Sequence, residues 1–431
     1  MLNISQFRQF INFKNNNYKY DQILYLLPFL FLFTVISSVI GTGILNITIV
    51  IFDFLFLIFY FFNKKKIKFG FNKVIILITL LFFLLNLIFS TKFEASMYGI
   101  LGIFKHFIFF IGGYFLLQLD KNLFNKFIKL TFIVFIFVLI DTLIQYTFGK
   151  DIFGYPSFGA HDGRLSGPFG DELVVGSFLS KLLFISIIFF SKNYTYKIYD
   201  MFFLLISVFI IFLTNERSAA FMALLSSFIY IFFRFKSFKI KVTFFVSIFL
   251  ILISLINIPN FKTKYITRTL SQFGIIESKW EKYDNFLDSH WGAHYLTSVS
   301  IFKNYPLFGS GLKTFRYECQ KIEYEKINSK SADSRCSTHP HNFYLEVLSD
   351  TGAIGFLLFL YLIFWIFKNL ISLKNIKTNK IFPIILSLFF LFFWPIKTTG
   401  SILSSWNGYF YILVLIIIIN NLNLIKLNLN D

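Results

Sequence analysis

The sequence is short of negative charge, of cysteine and of any recognisable cleavable leader. Its 431 residues hold 22 Asp and Glu against 41 Lys and Arg, a formal charge of +19. That excess invites a nucleic-acid reading, but the basic residues sit mainly in short loops between apolar runs, where they orient a membrane protein. No aromatic–basic surface motif of the kind that grips bases accompanies them, so nucleic acid is not expected as a partner. A Lys-, Asn-, Ile- and Phe-rich composition accounts for part of the charge. Met1 to Tyr20 is polar and basic and lacks a short apolar core ending in small residues, so the first apolar run is expected to stay in the protein.

Apolar and aromatic residues are in excess: 56% of the chain is hydrophobic, and Phe alone numbers 66. A soluble domain is about 45–50% apolar. Runs long enough to cross roughly 30 Å of hydrocarbon recur near 22–39, 44–62, 74–90, 98–118, 130–147, 173–191, 198–214, 218–233, 242–258, 346–367, 381–396 and 405–422. Hydrocarbon offers no partner to a backbone amide, so each run must be a helix. The expected fold class is an all-α polytopic membrane protein of about 12 transmembrane helices.

The loops alternate in charge. Lys64, Lys65, Lys66, Lys68 and Lys73 form one basic group, and Lys121, Lys126 and Lys129 the next. Lys192 and Lys197 follow, then Arg234, Lys236, Lys239 and Lys241, then Lys368, Lys374, Lys377 and Lys380. All fall on one side, and the opposite short loops are nearly free of positive charge apart from Lys92 and Lys397. The basic side is cytoplasmic, so both termini are expected inside. The expected division is a cytoplasmic segment 1–21, nine helices over 22–258 with an outer loop at 148–172, an outer loop domain 259–345, three helices over 346–422 and a tail 423–431. Between about Trp280 and Phe315 charged and aromatic residues alternate, as suits amphipathic helices lying on a membrane surface.

Cys319 and Cys336 both lie in the larger outer loop and are the only cysteines. In an oxidising compartment they are expected to pair, a closure worth roughly 3 kcal/mol in the chain-entropy model. Free thiols, or half a zinc site with His339 and His341, are the alternative; the spacing does not match the usual zinc patterns.

Histidine placement points to chemistry. Of six histidines, only His106 lies in an apolar run; His161, His290, His294, His339 and His341 fall in outer loops, and the cytoplasmic loops have none. Histidine is the side chain that moves a proton near neutral pH. Thr338-His339-Pro340-His341-Asn342 immediately precedes the tenth run, where Asn342 can orient the ring or cap the helix. Gly352 and Gly355 then thin one face for a neighbouring helix. Arg217 starts a run after a very short outer turn, where it contacts phosphate, snorkels or pairs with Glu216. Arg164 lies in a glycine-rich loop on the same side, in phosphate contact or in an ordinary solvated turn. Arginine suits phosphate because its fork binds two oxygens at once. Pro306 to Arg316 could pass for a nucleotide loop, but no strand precedes it and it lacks a third glycine, so a tight turn seating the loop domain is expected.

Together these elements resemble the O-antigen ligase and polymerase superfamily of bacterial membrane glycosyltransferases. The matching parts are Arg-x-x-Gly-Pro-Phe (Arg164 to Phe169), Arg217-Ser218, Pro-x-x-Gly-x-Gly (Pro306 to Gly311), and His-x-His-Asn with its paired glycines (His339 to Gly355). The resemblance spans about residues 160 to 365. It implies a GT-C-like architecture in the inner membrane with the site facing the periplasm. It also implies a role in lipopolysaccharide biosynthesis: a glycan on undecaprenyl diphosphate, moved to lipid A–core by ligases or to another repeat unit by polymerases. The implied mechanism is inverting, metal-independent and free of cofactors. Carried onto this chain, His341 is the general base, with His339 and Arg217 the other catalytic candidates. Arg164, Arg217, His294, Arg316 and Asn342 are the candidate contacts to the donor's diphosphate or glycan.

One departure stands out. Family members often carry a second arginine shortly before the Pro-x-x-Gly-x-Gly turn, whereas this chain reads Asp288 to Tyr295 there. His290 or His294, or Arg268 or Arg316 from elsewhere, are the candidates to replace it. A ligase is the leading expectation and a polymerase the alternative. A transporter of lipid-linked glycans is the second alternative, against which stand the lack of a half-to-half repeat and the few charges seen deep in the runs.

Overall fold

The computed structural model describes residues 12–13, 21–64, 67–68, 73–157, 163–193, 198–277, 283–372 and 381–427. His161, Trp280, Lys65, Lys66, Lys197, Lys374, Lys377 and Lys380 lie outside the described residues. All twelve apolar runs are helices: α1 (Asp21–Ile40), α2 (Thr42–Asn63), α3 (Lys73–Ile88), α4 (Phe93–Leu119), α5 (Lys121–Phe148), α6 (Val175–Asn193), α7 (Ile198–Leu213), α8 (Arg217–Arg234), α9 (Phe238–Ile256), α11 (Phe343–Ser372), α12 (Phe382–Phe393) and α13 (Ser405–Leu427). Helix α10 (His290–Asn304) belongs to the outer segment. Among the described residues eight helices are long and apolar enough to cross a membrane, and four shorter apolar ones accompany them. The protein is an all-α, multi-pass membrane protein. A two-residue antiparallel pair, β1 (Asn12–Phe13) with β2 (Ile67–Lys68), is added to the helices.

Helix α5 begins well before its apolar run, so Lys121, Lys126 and Lys129 ride on the helix rather than in a loop. The reason is local. Asp120 both follows α4 and caps α5, its Oδ1 accepting from the amide of Asn122 at 2.8 Å.

Phenyl rings fill the space between helices. Phe31 of α1 lies 5.9 Å from Phe109 of α4 and 5.4 Å from Phe127 of α5, ring centre to ring centre. Pairs of this kind are worth about 0.5–1.5 kcal/mol beyond their area. Gly112 and Gly113 let α4 approach, since a Cβ at either would run into Phe52 or Phe31.

Between α9 and α11 the described residues form a short helical stretch over 259–272, helix α10 and several single turns. Small and polar residues of α10, among them Ala293, Thr297 and Ser298, are fully buried. Ser298 donates to the carbonyl of Leu345 at 2.8 Å, so α10 packs on α11. Ile301, Phe315, Cys319 and Tyr324 make a small separate core. Cys319 and Cys336 are joined as a disulfide, with Cα atoms 5.2 Å apart.

The Pro306–Gly311 turn is stitched to α11. Ala353 donates to the carbonyl of Pro306 at 2.8 Å, and Ser310 to that of Ser349 at 3.0 Å. Gly352 breaks α11 with φ 64°. A Cβ there would overlap the backbone of Leu307 and Gly309, so it is a turn and not a helix that comes against Gly352. Gly355 does face a helix, through Phe82 of α3.

Candidate active site

Four histidines converge at the N-terminal end of α11. The ring of His341 lies 4.2 Å from that of His339, 5.2 Å from His294 and 4.8 Å from Trp291, and the tilted ring of His290 lies 4.5 Å from Trp291. His341 holds a left-handed backbone at φ 55°. Such a conformation is unfavourable outside glycine and collects at functional sites. It persists because its neighbours fix it. The amide of Thr399 donates to the carbonyl of His341 at 2.7 Å, and Asn342 caps α11 by accepting from Tyr344 and Leu345 at 3.0 and 3.2 Å. Asn342 therefore anchors the chain beneath the histidine and does not orient its ring. That task falls to Ser337, whose hydroxyl is 2.9 Å from His341 Nε2. His339 is held by Thr338 Oγ1 at 2.8 Å and the carbonyl of Thr399 at 3.1 Å.

Burial pushes the His341 imidazole down to about 3, helped by the charge that His339, His294 and His290 would carry. The other three are lowered as well, first by burial. The cluster is therefore neutral at physiological pH. His294 Nδ1 is buried without a hydrogen-bond partner. Among the described residues no three His, Cys, Asp or Glu side chains are arranged to hold a metal ion.

Arg217 enters the site from the start of α8. Its Nη1 donates to Thr269 Oγ1 at 3.2 Å, and its charge bears on His290. Glu216 does not pair with it. Instead Glu216 caps α6, accepting from Gly176 at 2.7 Å and Ser177 at 3.1 Å, and lies 3.9 Å from Arg164 Nη2. Burial raises Glu216 to about 7, with Arg164 opposing. Arg164 also donates to the carbonyl of Leu173 at 2.6 Å, which leaves its buried Nε without a partner. Gln145 of α5 sets this loop by accepting from the amides of Ser166 and Gly167 at 2.9 and 2.8 Å. The Arg164 loop and the Arg217 turn thus meet: Leu165 donates to the carbonyl of Thr214 at 3.4 Å.

The floor between these parts is the segment 394–404, which sequence reasoning passed over as a gap between runs. Ser218 donates to the carbonyl of Thr398 at 2.8 Å, Thr399 meets His341 and His339, and Asn342 donates to the carbonyl of Pro395 at 2.9 Å. Farther along, Ser401 Oγ and the amide of Ile402 donate to the carboxylate of Glu346. Arg316 lies on this farther side, exposed, with its charge felt at His339. The expected site residues therefore divide: His339, His341, His294 and Arg217 share one cluster, Arg164 adjoins it through Glu216, and Arg316 approaches from the other flank. Sequence reasoning also missed ionisable side chains within the helices, among them Lys105, Lys181 and Glu346. Lys181 Nζ donates to Asn407 Oδ1 at 2.7 Å and sits 4.0 Å over the ring of Trp406.

Residues 202–360 match the family model described as O-antigen ligase. The matched segment contains Arg217, Arg316 and His341; Arg164 and the 394–404 floor lie outside it. No curated protein matches the chain.

Proposed function

We propose that this chain, a member of the O-antigen ligase/polymerase superfamily by its 202–360 segment, is a ligase that moves a glycan from undecaprenyl diphosphate to lipid A–core. The membrane is the inner one, the site faces the periplasm and both termini are cytoplasmic, a topology supported by the alternating lysines. The observation that carries the reading is His341. It is held in a left-handed turn, half-buried, neutral and two adjoining residues of floor, Thr398 and Thr399, away from the start of the Arg217 helix.

The acceptor hydroxyl oxygen attacks the anomeric carbon and forms the new C–O bond. The bond from that carbon to the diphosphate breaks, and its electron pair leaves with undecaprenyl diphosphate. The hydroxyl proton passes to His341 and then to water. Arg217 and Arg164 stabilise the charge that develops on the leaving diphosphate, with no reorganisation needed at that moment. His294 and His339 wall the base and suppress its protonation until a diphosphate arrives. That anion reverses the local field, so proton affinity at His341 rises when the reaction requires it.

The test is transfer by purified protein given undecaprenyl-diphosphate glycan with and without lipid A–core. Product that forms only with lipid A–core supports the ligase. Longer glycans from donor alone would make the chain a polymerase, and no transfer in either arm contradicts both.

A further inference from the structure

Three non-glycine residues have positive φ among the described residues: Asn215 at 57°, His341 at 55° and Lys313 at 59°. Asn215 sits in the Arg217 turn and His341 is the base, so two of the three belong to the machinery already described. Lys313 does not. Its conformation is imposed from several directions. Its own amide donates to Asp350 Oδ2 at 2.7 Å, Gly311 donates to the carbonyl of Asp350 at 3.1 Å, and Leu312 donates to Ser96 Oγ at 3.2 Å. Backbone strain of this kind collects at functional sites.

The charges nearby are unspent. Lys313 and Arg316 each stand near Glu346 and Asp350, yet neither has a carboxylate within ion-pair distance among the described residues. Those two carboxylates are 2% and 1% exposed and are taken by backbone amides and a serine hydroxyl instead. Behind them Lys105 Nζ donates to Asn46 Oδ1 at 2.6 Å and Ser405 Oγ at 3.0 Å, with Asp53 as its neighbouring carboxylate. Arg164, by contrast, has its carboxylate in Glu216. Beside Arg316 the ring of Tyr317 is 43% exposed, with Lys92 Nζ 5.9 Å from its centre. Exposed cations next to an open aromatic face suit an anionic saccharide.

The two cationic groups flank His341. The floor touches the Arg217 helix at Thr398, His341 at Thr399 and Glu346 at Ser401 and Ile402. Four residues of chain span at most about 14 Å. We propose that Lys313 and Arg316, backed by Lys105, form a second anion subsite that takes a phosphate or carboxylate of the acceptor, so that Arg316 serves the acceptor and not, as the sequence suggested, the donor. The inference rests on the transferase reading above and names the acceptor class within it. The Arg316 fork can bind two oxygens of a phosphate, and Lys313 adds a point charge.

Binding, not turnover, tests this. The full chain in phosphatidylcholine nanodiscs is titrated with lipid A–core bearing its phosphates and with the dephosphorylated form. The native protein is expected to prefer the phosphorylated form by about tenfold, the effect of one charge-assisted contact. Lys313→Gln with Arg316→Gln is expected to abolish that preference and leave the Kd for undecaprenyl-diphosphate glycan unchanged. Arg316→Gln alone, at an exposed position, must show part of the loss even if the double variant folds poorly. An unaltered preference, or a weakened donor Kd in these variants, overturns the subsite. So does acceptor binding that phosphatidylglycerol in the nanodisc displaces, since the seat would then be a lipid headgroup's. Wild type that fails to bind phosphorylated acceptor overturns it as well, whereas binding without transfer sinks the ligase reading and leaves the subsite standing.

Discussion

At the scale of single residues, Ser337 governs which nitrogen of His341 can take a proton. Its hydroxyl occupies Nε2 at 2.9 Å and fixes the ring between Trp291 and His339. Removing one such bond costs about 1 kcal/mol, or about fivefold in rate. Ser337→Ala is expected to lower kcat by that factor with KM for the acceptor nearly unchanged, and Ser337→Thr to restore it; a change in KM alone would remove the positioning role. Glu216 gives a pH signature. Its carboxyl is raised to about 7, so acidification below that value discharges it, frees Arg164 and removes a negative charge beside the donor's diphosphate. KM for the donor is expected to be lower at pH 6 than at pH 8, and Glu216→Gln to hold the low value throughout. The four histidines of the site are shifted down, away from the pH at which Glu216 titrates. An inflection that survives in Glu216→Gln would refute the assignment.

At the scale of elements, the break in α11 couples the base to the loop domain. Gly352 and Gly309 interlock across the Pro306 turn, and neither has space for a Cβ. Gly352→Ala adds a methyl against backbone at φ 64°, where a side chain is already strained by about 1 kcal/mol or more. A fall of several degrees in Tm and loss of transfer are expected, whereas a variant with native Tm would show that the turn does not hold the site. The twelve helices were legible because each run repeats one physical demand, backbone pairing in hydrocarbon. Arg217 and His341 were legible because charged and titratable groups are conspicuous at the ends of such runs. The floor was not, because 394–404 has no motif and is assembled by hydrogen bonds to Ser218, His341 and Glu346, contacts that spacing cannot encode. Glu346, Lys105 and Lys181 were hidden for a related reason: one charge in a long apolar window scarcely moves its average. Adjacency misled at Glu216, which is next to Arg217 in sequence but turns to α6 and Arg164.

At the scale of the whole molecule, charge asymmetry and site placement make one claim. The proposed topology has Lys64 on the cytoplasmic side and Lys150, in the loop that leads to Arg164, on the other. Lys64→Cys is expected to react with a membrane-impermeant maleimide only after permeabilisation, and Lys150→Cys in intact cells; the reverse pattern would turn the site inward and contradict the topology. Buried charges within the helices bear on the rival transporter reading, because their rarity in the sequence was the argument against it. The histidine cluster at the start of α11, within the segment that matches the O-antigen ligase family model, favours the transferase. The most direct measurement is therefore His341→Ala in reconstituted membranes, with the donor's leaflet and the transferred glycan both assayed. Loss of transfer by at least about a hundredfold, with donor accumulating on the outer leaflet, is the predicted result. Transfer at the native rate, or donor retained on the inner leaflet, would contradict the account.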